Sequence, residues 1–147
     1  MRQFVGIVLV RPGGCVLAQY RDNKPEILGP DTWCVTGGAR DENDETLELT
    51  GVRELREETG YLADSEDLHL LNSDIYFTER GVQVERTIFW AWYDEVQEVG
   101  CREGQEIRFI SRQELGTLKF YTGHENFLRL ASEKGLTSGV EFDLGPA

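Results

Sequence analysis

The sequence is poor in basic residues, and this shortage narrows the range of partners. Its 147 residues include 15 Lys and Arg against 27 Asp and Glu, which gives a formal net charge of −12. Proteins that hold a long nucleic acid through its phosphates present a basic surface, and no basic run exists here. A long nucleic acid is therefore not expected as a partner. A small phosphate ligand is compatible with the charge if metal ions supply positive charge locally.

The sequence also lacks clustered cysteines and long apolar runs. Cys15, Cys34 and Cys101 form no CxxC pair, which excludes the usual zinc and thiol-redox motifs. We expect buried, reduced thiols in a cytoplasmic protein. The apolar run at residues 4–11 is too short to span a membrane and has no small-residue cleavage site. We interpret it as a buried strand, and no membrane partner is expected.

The distribution of apolar and turn-forming residues along the chain predicts alternating strands and helices. Strands are predicted where apolar and aromatic runs are bounded by turn residues, at 4–11, 15–20, 33–36, 68–78, 82–93 and 106–110. The first two strands and the pair at 68–78 and 82–93 each predict a hairpin. Helices are predicted at 45–59, 111–114 and 124–133. Interleaved strands and helices indicate the α/β class, with a mixed sheet and helices on its faces.

The sequence also predicts where the helix at 45–59 begins and ends and where the folded domain ends. Asp44 is the expected N-cap of the helix at 45–59, and Gly60 stands where a left-handed C′ residue belongs. The size of the chain predicts a single domain, which we assign to residues 1–134. Residues 135–147 are rich in glycine and weakly patterned, and we expect a loose tail there.

Three carboxylates share one face of the helix at 45–59. At about 100° per residue, Glu54, Glu57 and Glu58 lie together, and the opposite face packs on the sheet. The residues expected on that packing face are Leu49, Val52, Leu55 and Thr59. Carboxylates about 5–6 Å apart repel by about 3 kcal/mol per pair at an effective dielectric of about 20. A solvated acidic face is one explanation of the cluster, and a site for a hard divalent cation is the other.

The surroundings of this cluster favour the second explanation, because they resemble the Nudix box. Residues 53–61, Arg-Glu-Leu-Arg-Glu-Glu-Thr-Gly-Tyr, match its ending except that Tyr61 replaces an aliphatic residue. Seven residues separate Glu45 from Arg53, as in the box, and residues 33–38 resemble the usual entry with Thr36 in place of proline. Six residues instead of five separate Gly38 from Glu45, which is a one-residue insertion.

The resemblance implies a Nudix-type α/β/α sandwich of the MutT-like branch, with a catalytic loop-helix-loop at residues 37–61. It also implies a pyrophosphohydrolase that uses Mg²⁺, or Mn²⁺ in its place. Magnesium would be held by the Gly37 carbonyl and by Glu54, Glu57 and Glu58, and Arg53 would hold Glu54 in place. Glu54 or a later loop glutamate would deprotonate the attacking water. For that later glutamate, residues 102–105 resemble a MutT segment, which favours Glu103 over Glu106 as a further metal and catalytic residue.

The substrate is less well defined by the sequence. The expected class is a small nucleotide: a nucleoside diphosphate linked to another group, such as a nucleotide sugar, or a nucleoside triphosphate. Arg21 is a candidate for a phosphate contact, Trp33 for stacking on a base, and Asn126 for recognition of the base. Tyr76, Phe77 and Trp90 are further aromatic candidates, although aromatic residues on strands are more often core. No proline lies about fifteen residues past the box, where ADP-ribose hydrolases resemble one another.

The sequence leaves two other functions open. One is a Nudix-like module that binds a nucleotide without cutting it, which the intact glutamates of the box disfavour. The other is removal of an RNA cap, which the charge of −12 and the absence of a basic patch disfavour. No phosphate-cradling GxxxxGK[ST] loop and no Ser or Cys nucleophile motif is present. The sequence leaves the oligomeric state open.

Overall fold

The apolar run near the start of the chain forms β1 (Arg2–Val10), which lies in the middle of the β-sheet in a computed structural model of the protein. The structure describes the backbone of residues 1–144 and the side chains of residues 1–136. β1 pairs in parallel with β6 (Gln83–Trp92) and antiparallel with β2 (Val16–Tyr20). A strand with neighbours on both edges and helices on both faces is apolar without alternation, as β1 is.

The remaining strands extend the sheet on both sides of β1. β5 (His69–Phe77) pairs antiparallel with β6, which confirms the second predicted hairpin. β3 (Trp33–Cys34) and β7 (Glu106–Ile110) pair with β2, and β4 (Thr36–Ala39) pairs with β1. The strand order is β3-β2-β1-β6-β5, with β4 and β7 off this path. One parallel pairing among antiparallel ones confirms the predicted mixed sheet.

Helices cover both faces of the sheet. α1 (Leu47–Thr59) lies on one face, and α2 (Arg112–Leu115) and α3 (His124–Leu144) lie on the other. The buried core on the α1 side consists of Val5, Ile7, Leu9, Leu17, Leu55, Tyr61, Phe89 and Ala91. The buried core on the other side includes Val8, Val10, Val16, Ile88, Ile110, Leu115, Phe127, Leu128 and Ala131. Two cores separated by one sheet form the expected α/β/α sandwich.

The boundaries of α1 agree with the sequence at one end only. Gly60 ends the helix with a φ of 80°, which confirms the predicted left-handed C-cap. The prediction that Asp44 is the N-cap is wrong. Thr46 is the N-cap, and its hydroxyl accepts a hydrogen bond from the N–H of Leu49 at 3.1 Å. The carboxylate of Asp44 instead binds Arg53, and the helix begins two residues later than expected.

The burial of two residues of α1 also differs from expectation. Leu49, predicted on the packing face, is 38% exposed, whereas Glu58, predicted on the opposite face, is 1% exposed. The reason is that β4 lies beside α1 and covers the edge of the acidic face, where it contacts Glu58. The helix packs closely on the sheet at Gly51, since a Cβ there would lie 2.9 Å from a side-chain carbon of Ile7.

The last helix and the cysteines also differ in part from the predictions. α3 begins at His124 as predicted but continues to Leu144, well beyond the expected end at Glu133. Residues 145–147 lie outside the described residues, and the division into a domain and a tail stays a prediction. All three cysteines are free thiols, but only Cys34 is buried as expected, since Cys15 is half-buried and Cys101 is exposed. No helix within residues 1–144 has both the length and the apolar composition needed to cross a membrane.

Candidate active site

Two consecutive glycines bring β4 against α1. A Cβ on Gly37 would lie 2.3 Å from the carbonyl oxygen of Val5, and a Cβ on Gly38 would lie 2.3 Å from the carboxyl carbon of Glu54. Neither position has room for a side chain, so the Glu54 carboxyl group lies directly against the strand backbone. The N–H of Gly37 donates a hydrogen bond to Oε1 of Glu58 at 2.9 Å. The predicted motif thus brings two carboxylates of the helix to one short stretch of backbone.

Glu58 is the most deeply buried of the three helix carboxylates. Burial, together with the nearby charges of Glu103 and Glu54, raises the pKa of its carboxyl group to about 9. The hydrogen bond from Gly37 and the charge of Arg21 oppose this shift. A buried carboxyl group that faces two other carboxylates is an unfavourable arrangement for a protein alone, and a cation would stabilise it.

Glu54 and Glu57 flank one guanidinium nitrogen. Nη1 of Arg53 lies 3.0 Å from Oε1 of Glu54 and 3.3 Å from Oε1 of Glu57. The Glu54 side chain is 16% exposed and the Glu57 side chain 52% exposed. Burial raises the pKa of Glu54, and the charge of Arg53 opposes that rise. The position of Arg53 agrees with the role that the resemblance implies, namely holding Glu54.

Arg53 itself is held by Asp44, a residue for which the sequence suggested a different role. Nε and Nη2 of Arg53 donate to the two carboxylate oxygens of Asp44 at 3.1 and 2.9 Å. Asp44 also accepts hydrogen bonds from the Thr50 hydroxyl and the Asp41 N–H, both at 2.9 Å. The hydrogen bond from Arg53 is the largest cause that depresses the pKa of Asp44. Asp44 therefore positions the arginine that in turn positions Glu54.

This contact explains the one-residue insertion in the motif. The insertion leaves two adjacent acids, Asp44 and Glu45, at the place where the Nudix pattern has one. Glu45 is exposed, and among the described residues only its backbone carbonyl accepts a hydrogen bond, from Arg40 at 3.4 Å. The structure thus gives the contact with Arg53 to Asp44. The distance of Asp44 from Gly38, five intervening residues, is the signal in the sequence that identifies it.

The loop that carries Glu103 reaches the same site from the other side. The Glu103 carbonyl accepts a hydrogen bond from Nε2 of Gln19 at 2.9 Å, and the next residue, Gly104, has a φ of 86°. Glu103 is exposed, and its charge acts on the pKa of both Glu54 and Glu58. Glu106 instead forms an ion pair with Arg108 at 3.0 Å. These contacts agree with the preference for Glu103.

The donors at this site suit a hard divalent cation, although they do not form a closed set of ligands. Among the side chains of residues 1–136, no three from His, Cys, Asp or Glu are close enough together to hold a metal ion. The available donors are carboxylate and carbonyl oxygens, which Mg²⁺ and Mn²⁺ prefer. The repulsion that Glu54 and Glu103 impose on Glu58 is of the kind that such a cation reverses. On donor chemistry and on charge, the residues fit the predicted cofactor.

A cavity of about 330 Å³ opens on the other side of the two glycines. It lies on the α3 face of the sheet, where Phe4 and Arg86 occupy paired positions on β1 and β6. Its walls combine apolar, aromatic and basic side chains with the backbone of β4. They include Phe4, Leu28, Val35, Gly37, Gly38, Tyr76, Val82, Val84, Tyr121 and four arginines. Because Gly37 and Gly38 have no side chains, only backbone separates the cavity from Glu54 and Glu58.

The structure places one of the three predicted substrate residues at this cavity. Arg21 lines it, with Nε bound to the Leu28 carbonyl at 2.7 Å. Trp33 is 7% exposed and belongs to the core, stacked on Tyr20 at 5.1 Å between ring centroids. Asn126 is exposed, and neither it nor Trp33 is among the described residues that line the cavity. The aromatic wall is formed by other residues, Tyr76 among them.

Several cavity residues were not found from the sequence. His124 is buried, and its Nδ1 accepts a hydrogen bond from the Val35 N–H at 3.0 Å. Burial lowers the pKa of this histidine to about 3, which keeps the ring neutral. Arg2, Arg80 and Arg86 come from a strand end, a turn and a buried strand. Only the fold brings these segments together, and no local pattern marks them.

Comparison with known proteins agrees with this geometry. The family model of the NUDIX domain matches residues 2–131. No curated protein sequence matches the chain. Among solved structures, the NUDIX domain of Shewanella oneidensis NrtR complexed with ADP ribose superposes with a TM-score of 0.75. It shares 21% identity, over 90% of this chain and 86% of that one.

Two further structures are similar over most of their length. A Nudix hydrolase from M. smegmatis, RenU, has a TM-score of 0.64 and 26% identity, over 90% of this chain and 84% of that one. A binary complex of a C. elegans Ap4A hydrolase has a TM-score of 0.71 and 18% identity, over 91% and 97% of the two chains. The similarity therefore covers the whole sandwich as well as the motif.

Proposed function

The chain belongs to the NUDIX domain family and is a Nudix hydrolase, and we propose that it uses a divalent cation to cleave a phosphoanhydride bond in a small nucleotide. One observation carries the proposal. The carboxylates of Glu54 and Glu58 lie directly behind Gly37 and Gly38, whose other side forms the wall of an arginine-lined cavity. A diphosphate in that cavity has its charge compensated on one side and acidic groups for hydrolysis on the other.

The residues divide the chemistry among them. Glu54, Glu57, Glu58, Glu103 and the Gly37 carbonyl would hold Mg²⁺ or Mn²⁺. When bound, the cation would neutralise charge on the phosphate oxygens and lower the pKa of a water molecule.

Glu54, held by Arg53, or Glu103 then accepts a proton from the water that attacks phosphorus. A new P–O bond forms, the anhydride P–O bond breaks, and the departing phosphate takes the electron pair. Arg21 provides a guanidinium group for the phosphate oxygens that do not react, since it lines the cavity and its charge acts on Glu58.

The substrate class is supported by the cavity and by the relatives. Aromatic and apolar side chains adjoin the basic residues in a cavity of about 330 Å³, which suits a nucleotide better than inorganic pyrophosphate. The NrtR domain named above is complexed with ADP ribose, and another relative is an Ap4A hydrolase. Both ligands join nucleosides or sugars through phosphoanhydrides. A nucleotide sugar or a nucleoside triphosphate is therefore the proposed substrate of this chain.

A panel assay tests the proposal. Phosphate, pyrophosphate and nucleoside monophosphate release is measured on nucleotide sugars, nucleoside triphosphates and dinucleoside polyphosphates, with Mg²⁺, with Mn²⁺ and with chelator. We expect cation-dependent cleavage that Glu54→Gln and Glu58→Gln each reduce by about 100-fold or more, because each removes a charged oxygen at the reacting centre. Glu48→Gln, in the first turn of α1, is the matched control and retains activity.

Two outcomes would contradict the proposal. Cleavage that survives chelation would remove the cation from the reaction. Tight nucleotide binding by a folded protein, without turnover of any panel member, would instead indicate a module that binds the nucleotide and does not cut it.

A further inference from the structure

The cavity has an unusual charge for this protein. The chain carries a net charge of −12, yet the described residues that line the cavity include Arg2, Arg21, Arg80 and Arg86 and no Asp or Glu. In a chain with 27 acidic residues, most arginines that have a structural role are expected to find a carboxylate. The partners of the four arginines therefore show which of them are available to a ligand.

Arg86 already has its partners. Its guanidinium group binds both oxygens of Asp74, at 2.8 and 2.6 Å, and lies 3.7 Å from the centre of the Tyr76 ring. It also donates to the Thr122 carbonyl and is 3% exposed. This arginine is part of the cavity wall, and its charge is compensated there. It fixes the position of the tyrosine that a bound nucleoside would meet.

Arg21 lies at the inner end of the cavity. It lines the cavity together with Gly37 and Gly38, its Nε donates to the Leu28 carbonyl at 2.7 Å, and its charge acts on the pKa of Glu58 and of His124. That position suits the diphosphate that is cleaved, as proposed above. Arg21 is thus accounted for by the proposed function.

Arg2 and Arg80 lie at the outer end of the cavity. Arg2 faces Val84 in the parallel pairing of β1 and β6, just after the turn that carries Arg80. Gly38 pairs with Val5, three residues further along β1, which corresponds to about 10 Å at 3.3 Å per residue. The backbone of Arg2 is therefore separated from the reacting end by roughly the length of a sugar ring with its substituents.

Neither outer arginine forms an ion pair within the described residues. Arg80 is held at the rim by one hydrogen bond, from Nη2 to the Glu26 carbonyl at 2.5 Å. The carboxylate of its neighbour Glu79 accepts hydrogen bonds from the Gly29 N–H at 3.3 Å and from the Tyr121 hydroxyl at 3.0 Å, and it forms no ion pair with Arg80, although the charge of Arg80 acts on its pKa. Arg2 is exposed and forms no ion pair among these residues. Both arginines thus line the cavity, and neither forms an ion pair within the described residues.

We propose that Arg2 and Arg80 form a second anion subsite, which selects substrates that carry a further phosphate or carboxylate beyond the cleaved diphosphate. This inference rests on the proposed function, since it assigns the inner end of the cavity to the diphosphate. Guanidinium groups bind both kinds of anion in a bidentate manner. Two unpaired guanidinium groups at one end of a ligand cavity favour a ligand that is anionic at that end. If the two arginines were solvated and had no ligand role, the protein would show no preference for a ligand that is anionic at that end.

Matched pairs of nucleotides test the subsite. UDP-glucuronate is compared with UDP-glucose to test a distal carboxylate, and ADP-ribose 2′-phosphate with ADP-ribose to test a distal phosphate. The first readout is the ratio of kcat/KM within each pair in Mg²⁺. The second is the ratio of dissociation constants in chelator, where no anhydride is cut. Arg2→Gln and Arg80→Gln remove the two charges, and Arg11→Gln at the far end of β1 is the control for net charge.

We expect the wild-type protein to prefer the anionic member of at least one pair by about tenfold or more, the effect of one charge-assisted hydrogen bond. Each cavity variant should reduce that ratio severalfold, whereas Arg11→Gln should leave it unchanged. The pair that shows the effect identifies the anion as carboxylate or phosphate. Equal kcat/KM within both pairs, unaffected by the variants, would overturn the subsite and leave the proposed function standing. Selective binding in chelator without turnover would support the subsite and overturn the proposed function.

Discussion

The contact between Asp44 and Arg53 leads to the sharpest prediction about stability. Replacement of Asp44 by Asn keeps the shape of the side chain but removes its charge. The amide nitrogen would face a guanidinium donor, so one of the two bonds to Arg53 is lost and the other is weakened. The Asp44 side chain is only 9% exposed, so water replaces these bonds poorly. We estimate a loss of about 2 kcal/mol in the free energy of unfolding.

That loss corresponds to a fall of about 4–8 °C in Tm for a domain of this size. Because the freed Arg53 no longer fixes Glu54, kcat/KM should also fall by about tenfold or more. The depressed pKa of Asp44 sets the pH dependence. A carboxylate with a lowered pKa stabilises the fold above its unfolded value, near 4, and loses that effect as the pH falls. The difference in the free energy of unfolding between the wild-type protein and Asp44→Asn should therefore shrink below about pH 4.

The adjacent residue gives a matched control. Glu45→Gln removes the same charge one position away, but the Glu45 carboxylate has no ion pair within the described residues. Thermal unfolding and steady-state kinetics on the two variants decide between the residues. A loss of stability and activity in Glu45→Gln, with Asp44→Asn unaffected, would refute the reasoning, since it would mean that the motif uses Glu45, the residue separated from Arg53 by seven others.

Three further predictions concern the site and its walls. Gly38→Ala should abolish activity without unfolding the protein, because the new Cβ would lie 2.3 Å from the Glu54 carboxyl carbon while the backbone stays unstrained; circular dichroism and the panel assay check this. In chelator, wild-type stability should fall as the pH rises from about 4 to about 9, because the raised pKa of Glu58 makes its ionisation unfavourable in the fold. In Glu58→Gln, the free energy of unfolding measured with urea should fall less steeply with pH over this range. An equally steep fall in the variant would contradict the raised pKa. His124→Leu leaves the Val35 N–H without its acceptor and should cost about 1–3 kcal/mol in urea unfolding at neutral pH. The difference should shrink as the pH falls from about 6.5 towards about 3, where the buried ring of the wild type takes up a proton.

Features of the fold that depend on local pattern could be predicted from the sequence. The apolar run of β1, the two hairpins and the end of α1 at Gly60 are set by residues close together in the chain. The acidic helix face and the two glycines before it were also visible, because the motif has fixed spacing. The N-cap was missed because Asp44 suits two uses, and the choice between a cap and an arginine partner depends on how β4 lies beside α1.

The cavity shows where prediction from the sequence stopped. Arg2 and Val84 are 82 positions apart in the chain, and only the parallel pairing of β1 with β6 brings the first strand to the turn at Arg80. No periodicity marks such residues. The opposite error occurred at Trp33, which looked suitable for stacking on a base but packs against Tyr20 in the core. Aromatic residues suit both roles, and burial decides between them.

The most direct test of the central claim is the fate of solvent oxygen. The preferred nucleotide from the panel is cleaved in ¹⁸O-labelled water with Mg²⁺, and the phosphate-containing products are analysed by mass spectrometry. Hydrolysis at the proposed site predicts one labelled oxygen in one phosphate product of the wild-type protein, and almost no labelled product from Glu54→Gln or Glu58→Gln at equal time. Cleavage without incorporated label, or label formed equally fast by both variants, would contradict the assignment of these carboxylates to the attack of water on phosphorus.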